Sequence, residues 1–442
     1  MMNKIFKICE WLLFILFFIM LFFMKQKLSI IVGIIVVGLL YLFYKKEKIK
    51  NYTLFLFLLS LIIRLISIFV FKVEIADDFK TMYEASLSLL KGNIDFMNGF
   101  YFKTYPFQLG LTLYQAVLLK VFNNVIILKV FNSIYTSLCV LFIYLISRKL
   151  FKEKTARVIS LGYLFFLYPL YLNSVLTNQH IPALLMLICI YLVVSKEENY
   201  KYSIIIGLLM GIANFFRSES IIFIMGIVIY YLVFINKKNY KNKIINSLCV
   251  IGVYLLITFS TSQILLHSPL FKNNNSEDKN VTVWKFYCGL NDKYNGIYNE
   301  EDQNIYFSSD NEKELLIDRV KSDYKKFPVL FLKKEVILWT QTNYDIRLTN
   351  KWNYDIIFFI NQGILNIVMV LFVISLYPKK DREDDKILFL KLLIGLYYGI
   401  YLFIEISPRY AYNLDMIVFI LLGIGIERMS VIWKSIKKSK EV

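Results

Sequence analysis

Two histidines, five cysteines and 33 acidic side chains against 51 basic ones are the shortages in this chain of 442 residues. Each argues against a class of function. His180 stands alone, with His267 far off in sequence and no Cys or carboxylate cluster at ligand spacing, so the pattern makes no metal site. Cys9, Cys139, Cys189 and Cys249 lie in or beside apolar runs and only Cys288 falls in a long polar stretch, so no disulfide framework is implied. No P-loop, dinucleotide glycine fingerprint or serine-nucleophile elbow occurs, which argues against nucleotide-driven work by this chain alone. No cofactor is expected, and nothing in the pattern supports a divalent metal. The formal charge of +18 does not signal nucleic acid, because Lys and Arg sit in short clusters between apolar runs and not along one soluble face.

What the chain has is apolar length. Hydrophobic residues make up 57% of it, and runs long enough to cross roughly 30 Å of hydrocarbon recur from residue 11 to residue 432. The first run ends in Lys25 and Lys27 without a small-residue cleavage pattern and reads as a retained span. Basic loops stay cytoplasmic. Here they fall at 45–50, 148–157, 196–201, 237–243, 379–386 and 434–440, with Lys4 and Lys7 at the start. Each pair must enclose an even number of crossings, so the apolar stretch 105–122 is expected to lie on or dip into the outer surface.

The expectation is an all-α polytopic membrane protein with about 12 transmembrane helices. These fall at 8–24, 28–44, 54–71, 125–146, 156–172, 181–194, 203–216, 219–235, 245–265, 353–377, 387–404 and 411–428. Both termini are cytoplasmic in a cell membrane. The chain divides into N-terminal spans (1–71), a first outer loop (72–124), a central bundle (125–265), a second long outer loop (266–352) and C-terminal spans with a basic tail (353–442).

Polar residues with chemical potential gather on the outer side. Asp77 and Asp78 open the first outer loop, where a carboxylate at the edge of a low-dielectric layer suits a general base. They would equally cap the helix that follows. Arg64 inside its span, Lys103, Arg217 and Arg409 form a set of cations suited to a lipid phosphate, which Arg binds bidentately. Arg64 could instead snorkel to the outer headgroups. Asn178, Gln179 and His180 occupy an outer turn. Glu405 and Arg409, four residues apart, could simply pair.

In order and spacing these pieces resemble the membrane glycosyltransferases of the C-type fold, in particular glycosyltransferase family 39, the protein O-mannosyltransferases, and the aminoarabinose transferases. The likeness runs from about Leu54 to Arg428. It rests on Arg64 leading to Ala76-Asp77-Asp78-Phe79, on Tyr105-Pro106-Phe107, on Tyr168-Pro169 before Asn173-Ser174, on the Gly-Leu-rich span closing in Arg217-Ser218-Glu219, and on Pro408-Arg409-Tyr410. Two departures stand out. Asn178-Gln179-His180 occupies a place where the family often has an acidic residue, and Ser218 replaces the Pro after Arg217. Two spans precede the usual start, and no large outer domain is expected after Arg428.

The resemblance implies juxtamembrane helices in the first outer loop, a polyprenyl-phosphate sugar as donor, and inversion by single displacement at the extracytoplasmic face. Asp78 or Asp77 would take the acceptor's proton, while Lys103, Arg217, Arg409 and Arg64 would hold the lipid phosphate. Tyr83, Tyr105, Asn178, Gln179, His180, Glu405 and Tyr410 would bind substrate. The acceptor is a cell-envelope glycan, teichoic acid, lipid or protein, and the hexosyl or pentosyl group is not named by the sequence. Two competing readings stay open: a polysaccharide polymerase or ligase, and a flippase or transporter of lipid-linked sugars. The Asp pair in the first outer loop favours the transferase, and the absence of two corresponding halves counts against a transporter.

Overall fold

The computed structural model describes residues 2–35, 38, 49–196, 199–235, 240–268, 270, 280–340, 354–379 and 383–440. Most of the second half of the expected span 28–44, and most of the basic loop 45–50, therefore lie outside the described residues. Among the described residues no strand forms, and Ile297 pairs with Ile406 in an isolated parallel bridge. Helices α1 (Met2–Met20), α2 (Tyr52–Val70), α3 (Asp77–Leu90), α4 (Phe100–Thr104), α5 (Leu109–Val121) and α6 (Ile126–Leu150) come first. The central group follows as α7 (Glu153–Leu164), α8 (Leu167–Leu172), α9 (His180–Ser195), α10 (Tyr200–Phe216), α11 (Ser220–Ile229) and α12 (Tyr240–Leu266). Then come α13 (Val281–Gly289), α14 (Glu300–Ser308), α15 (Glu312–Asp323), α16 (Phe327–Thr340), α17 (Tyr354–Leu376), α18 (Asp385–Phe403) and α19 (Tyr412–Lys440).

Six helices among the described residues are long and apolar enough to cross a membrane: Phe6–Phe23, Tyr52–Val70, Ile126–Leu150, Tyr240–Leu266, Asp355–Leu376 and Asp385–Phe403. Three shorter apolar helices pack with them, at His180–Ser195, Tyr200–Phe216 and Ser220–Phe234. The span expected at 156–172 is broken at Phe165 and Phe166 into α7 and α8. Pro169 explains part of this, since it is tolerated only in a helix's first turn, and it falls at the third position of α8.

The apolar faces show why these helices sit in lipid. Along α2, Leu54, Leu58, Ile62, Ile66 and Phe69 are exposed at helical spacing, whereas Ser60, Arg64 and Ser67 on another face are buried. Close packing inside the bundle uses small residues. Gly207 and Gly211, one turn apart on α10, face α12, and a Cβ would lie 2.7 Å from the Val250 carbonyl oxygen at the first and 2.6 Å from Ile257 Cβ at the second. Such pairs let two backbones approach where no hydrophobic force drives helix association.

The two ends of the bundle differ. At one end Lys152 N–H donates to Glu427, Arg428 beside it pairs with Glu383, Lys386 donates to the Val194 carbonyl and Tyr52 to the Arg157 carbonyl, so the described parts of the basic loops at 148–157 and 379–386 lie together there with Val194. At the other end the turns after α2, α8, α10 and α18 meet. Helix α5 has 13 residues, about 20 Å of helix and too short to cross. It lies near that second end, where Gln108 just before it accepts from Asn178 and Asn132, in the second turn of the following α6, donates to the Val175 carbonyl.

Candidate active site

The turn 173–180 is the keystone of this second end. Asn173, Ser174, Thr177, Asn178, Gln179 and His180 are all buried, where the sequence suggests an open outer turn. Buried polar groups need partners, and here they have them. Asn173 Nδ2 donates to the Arg64 carbonyl (3.0 Å) and to Ser133 (2.8 Å), and its Oδ1 accepts from Thr136 (3.1 Å). Both ring nitrogens of His180 are engaged, with Tyr412 Oη at 3.0 Å and the Leu172 carbonyl at 3.1 Å. His180 thus ties α8 to α19 inside the bundle. Gln179 Nε2 donates to the Arg409 carbonyl at 2.7 Å and so fixes the backbone beneath Arg409.

From that turn Asn178 Oδ1 receives a hydrogen bond from Arg217 Nη1 at 3.0 Å. Arg217 ends α10, and its other Nη pairs with Glu219. Burial opposes the guanidinium's charge, but the Glu219 carboxylate outweighs it and raises the pKa above the ordinary value. The guanidinium lies 5.3 Å from the centre of the Tyr410 ring, and Lys285 Nζ lies 5.9 Å from the same ring. Lys285 is 3.9 Å from Glu405, and Tyr410 Oη approaches the same carboxylate at 3.5 Å. Burial works against the charge of Lys285, while Tyr410 and Glu405 reverse that and raise its pKa.

Arg409 completes the group. Its Nη2 is 3.8 Å from Asp78 and its guanidinium packs 5.0 Å from the Phe79 ring. The two aspartates are held differently. Asp77 is exposed and takes φ +51°, a left-handed backbone that Asp tolerates better than most residues. It is not the helix cap: Ala76 occupies that position with no side-chain bond. Asp78 is half-buried and turned toward Arg409. Tyr101 and Tyr105 stand near it. Burial raises both pKa values, with Asp78 adding to the rise in each and Glu405 adding to it at Tyr105, so both phenols stay protonated. The Nε atoms of Arg217 and Arg409 and the Tyr101 hydroxyl are buried without a hydrogen-bond partner among the described residues.

Helices α13–α16 supply one wall. Asparagines cap three of these helices: Asn280, Asn299 and Asn311 accept from backbone N–H groups at the starts of α13, α14 and α15. Trp284, Tyr287, Cys288 and Tyr306 form a small core, and Arg319 pins it through Asp302 (2.6 Å) and the Tyr287 carbonyl (2.7 Å). This unit docks on the turn after α18. Glu405 N–H donates to the Lys285 carbonyl (2.8 Å) and Ile406 N–H to the Gly296 carbonyl (2.9 Å). The approach is so close that a Cβ on Gly289 would lie 2.2 Å from the Ile404 carbonyl carbon.

The structure therefore brings together Asp78, Tyr105, Asn178, Gln179, Arg217, Glu405, Arg409 and Tyr410, and adds Lys285, Glu219 and Tyr101. It does not bring Arg64 there. Arg64 is fully buried, and its Nη1 donates to Ser60 at 2.9 Å, one turn farther from Asp78 along α2, so the snorkelling alternative is overturned. Lys103 on α4 is half-buried, and among the described residues no ion pair joins it to the group. Tyr83 on α3 packs against the core. Among the described residues no three His, Cys, Asp or Glu side chains converge as metal ligands. Lys285 was missed because nothing in the sequence separates it from the other lysines of a charged loop.

Comparison with known proteins gives two results. Residues 110–263 match the family described as Dolichyl-phosphate-mannose-protein mannosyltransferase. That match covers Asn178, Gln179, His180 and Arg217 and leaves out Asp78, Lys285 and Arg409. The fold is similar to the oligosaccharyltransferase of Archaeoglobus fulgidus. With that enzyme tethered to an acceptor peptide containing the NVT sequon, the TM-score is 0.50 at 14% identity, covering 87% of this chain and 50% of the other. With its apo form the TM-score is 0.51 at 12% identity, covering 88% and 52%. This chain thus spans about half the length of those structures. Comparison with curated proteins finds no match. Over its central part in sequence, and over most of its length in fold, the chain is similar to the C-type-fold membrane glycosyltransferases, the resemblance first read from its motifs.

Proposed function

We propose that the protein moves a sugar from a polyprenyl-phosphate donor to a hydroxyl acceptor, with the site at the extracytoplasmic face. The observation that carries this reading is the convergence of one half-buried carboxylate, Asp78, with the three cations Arg409, Lys285 and Arg217 at a single end of the bundle. The sidedness rests on charge: the described parts of the basic loops at 148–157 and 379–386 lie at the opposite end, and such loops stay in the cytoplasm.

The chemistry balances as a single displacement. Asp78 accepts the proton of the acceptor hydroxyl as its oxygen attacks the anomeric carbon. The bond from that carbon to the phosphate oxygen breaks, and polyprenyl phosphate leaves with the electron pair. Arg409 and Lys285 neutralise the developing charge, and Arg217 joins them when Glu219 releases it. The proton on Asp78 then passes to water. Each cation faces a carboxylate in this structure, Arg409 with Asp78, Lys285 with Glu405 and Arg217 with Glu219, so an arriving phosphate finds a neutral group that it can repolarise. Asn178 and Gln179 act by positioning Arg217 and Arg409. A small cavity beside Arg217 is lined by the apolar Pro182, Met186, Met210 and Phe223 and by the polar Glu219, Ser220, Tyr397 and Asn413.

The test is to supply purified protein, with acceptor-bearing membranes, with a panel of polyprenyl-phosphate sugars and to measure free polyprenyl phosphate. One sugar should give acceptor-dependent release. Release from none of them, with acceptor present, would remove the transferase reading. Cysteine labels at Lys103 and Asn124 should both react from outside, and labelling on opposite faces contradicts the proposed sidedness.

A further inference from the structure

Lys334 is a buried charge that the proposed chemistry does not use. It sits on α16 with no exposure, and its Nζ donates to three backbone carbonyls: Gly289 at 2.8 Å, Leu402 at 2.8 Å and Ile404 at 2.7 Å. Three acceptors need three hydrogens, which an ammonium has and a neutral amine lacks. Burial pushes the group down to about 7, while Glu335, Cys288 and Glu405 act in the opposite direction. The chosen carbonyls favour the cation. Gly289 is the last residue of α13, and Leu402 and Ile404 are at the end of α18, where unpaired carbonyls concentrate partial negative charge.

Those two helix ends are where the site is assembled. Helix α13 carries Lys285 four residues before Gly289, and the chain leaving α18 carries Glu405 next to Ile404 and then Arg409 and Tyr410. No other described side chain bonds both ends.

We infer that Lys334 is a positioning residue that clamps the end of α13 to the end of α18 and so sets Lys285 against Glu405, Arg409 and Tyr410 for binding the donor phosphate. The inference rests on the proposed function, which names that phosphate. Loss of the ammonium leaves three buried carbonyls without a donor. Lys285 and Arg409 then lose their shared register, while Asp78 on α3 keeps its own support.

The experiment uses the full chain in nanodiscs with a short-chain polyprenyl phosphate as probe. Lys334→Met keeps the stem and removes the charge. Gly296→Ala keeps the Lys334 charge but puts a methyl 2.7 Å from the Gly289 carbonyl oxygen and 2.8 Å from Lys334 Cε, at a φ of +69°, and so pushes donor and acceptor of the clamp apart. Both variants should weaken polyprenyl-phosphate binding by about tenfold or more, and should raise donor KM with a smaller change in kcat. Gly296→Ala carries the test alone if Lys334→Met does not fold. Wild-type binding retained in the folded variants, or a fall in kcat with donor KM unchanged, overturns the clamp. A wild-type protein that fails to bind the probe counts against the function itself, which keeps the two failures apart.

Discussion

Both ends of the bundle bury charged side chains, but they hold them in different ways. At the end away from Asp78, Glu383 is flanked by Lys391 at 2.6 Å and Arg428 at 3.4 Å, and Lys391 also reaches Glu10 at 3.2 Å. This network joins α1, α18 and α19, and Arg428 Nη1 adds a hydrogen bond to the Ile374 carbonyl of α17 at 2.6 Å. At the other end Arg217 is paired with Glu219 and bonded to Asn178, but Arg409 and Lys285 stand 3.8 and 3.9 Å from their carboxylates, and the Nε groups of Arg217 and Arg409 have no partner among the described residues. One end spends its charges on each other and fastens helices. The second keeps donors in reserve around a half-open carboxylate, which is what an anionic substrate requires.

Three substitutions sharpen that contrast, ranked by their effect on sugar transfer, with Asp77→Asn as the control for the first. Asp78→Asn should lower turnover by about 10²–10⁴-fold, the range for losing a general base. Asp77→Asn, at an exposed position, should cost less than about tenfold. Equal losses at the two positions would break the assignment of the base. Lys285→Met comes next: donor KM should rise about tenfold, as expected for one charge-assisted contact of about 1.5 kcal/mol. An unchanged KM would return Lys285 to the ordinary loop lysines. Lys391→Met should leave transfer per folded molecule unaltered while lowering stability by about 3 kcal/mol, because it strips a partner from buried Glu383. A selective loss of donor affinity in that variant would erase the distinction between the two ends.

Much of the candidate site was legible because charge stands out against apolar sequence. Asp78, Arg217, Glu405, Arg409 and Tyr410 interrupt long hydrophobic runs at turns that parity puts on one side, and the structure places them together. Other features gave weaker or misleading signals. Arg64 looks from its context like a cation near the surface, but Ser60, Arg64 and Ser67 fall on one helical face, and that polar stripe was the available sign that the guanidinium points inward. His180 is scarce and polar, which suggests function, yet scarcity does not reveal that both its nitrogens are occupied by a hydroxyl and a carbonyl. Lys285 and Lys334 are far from Glu405 in sequence, and only the docking of α13–α16 on the turn after α18 gives them meaning. The break between α7 and α8 lies inside a long apolar run, where Pro169 was the available sign.

The account stands on Asp78 driving the transfer step while Arg409, Lys285 and Arg217 hold the donor. The most direct measurement is a single-turnover reaction with labelled donor and saturating acceptor, comparing wild type with Asp78→Asn for donor affinity and for polyprenyl-phosphate release. The variant should bind donor about as tightly as wild type and release almost no lipid phosphate. Release at the wild-type rate would contradict the account.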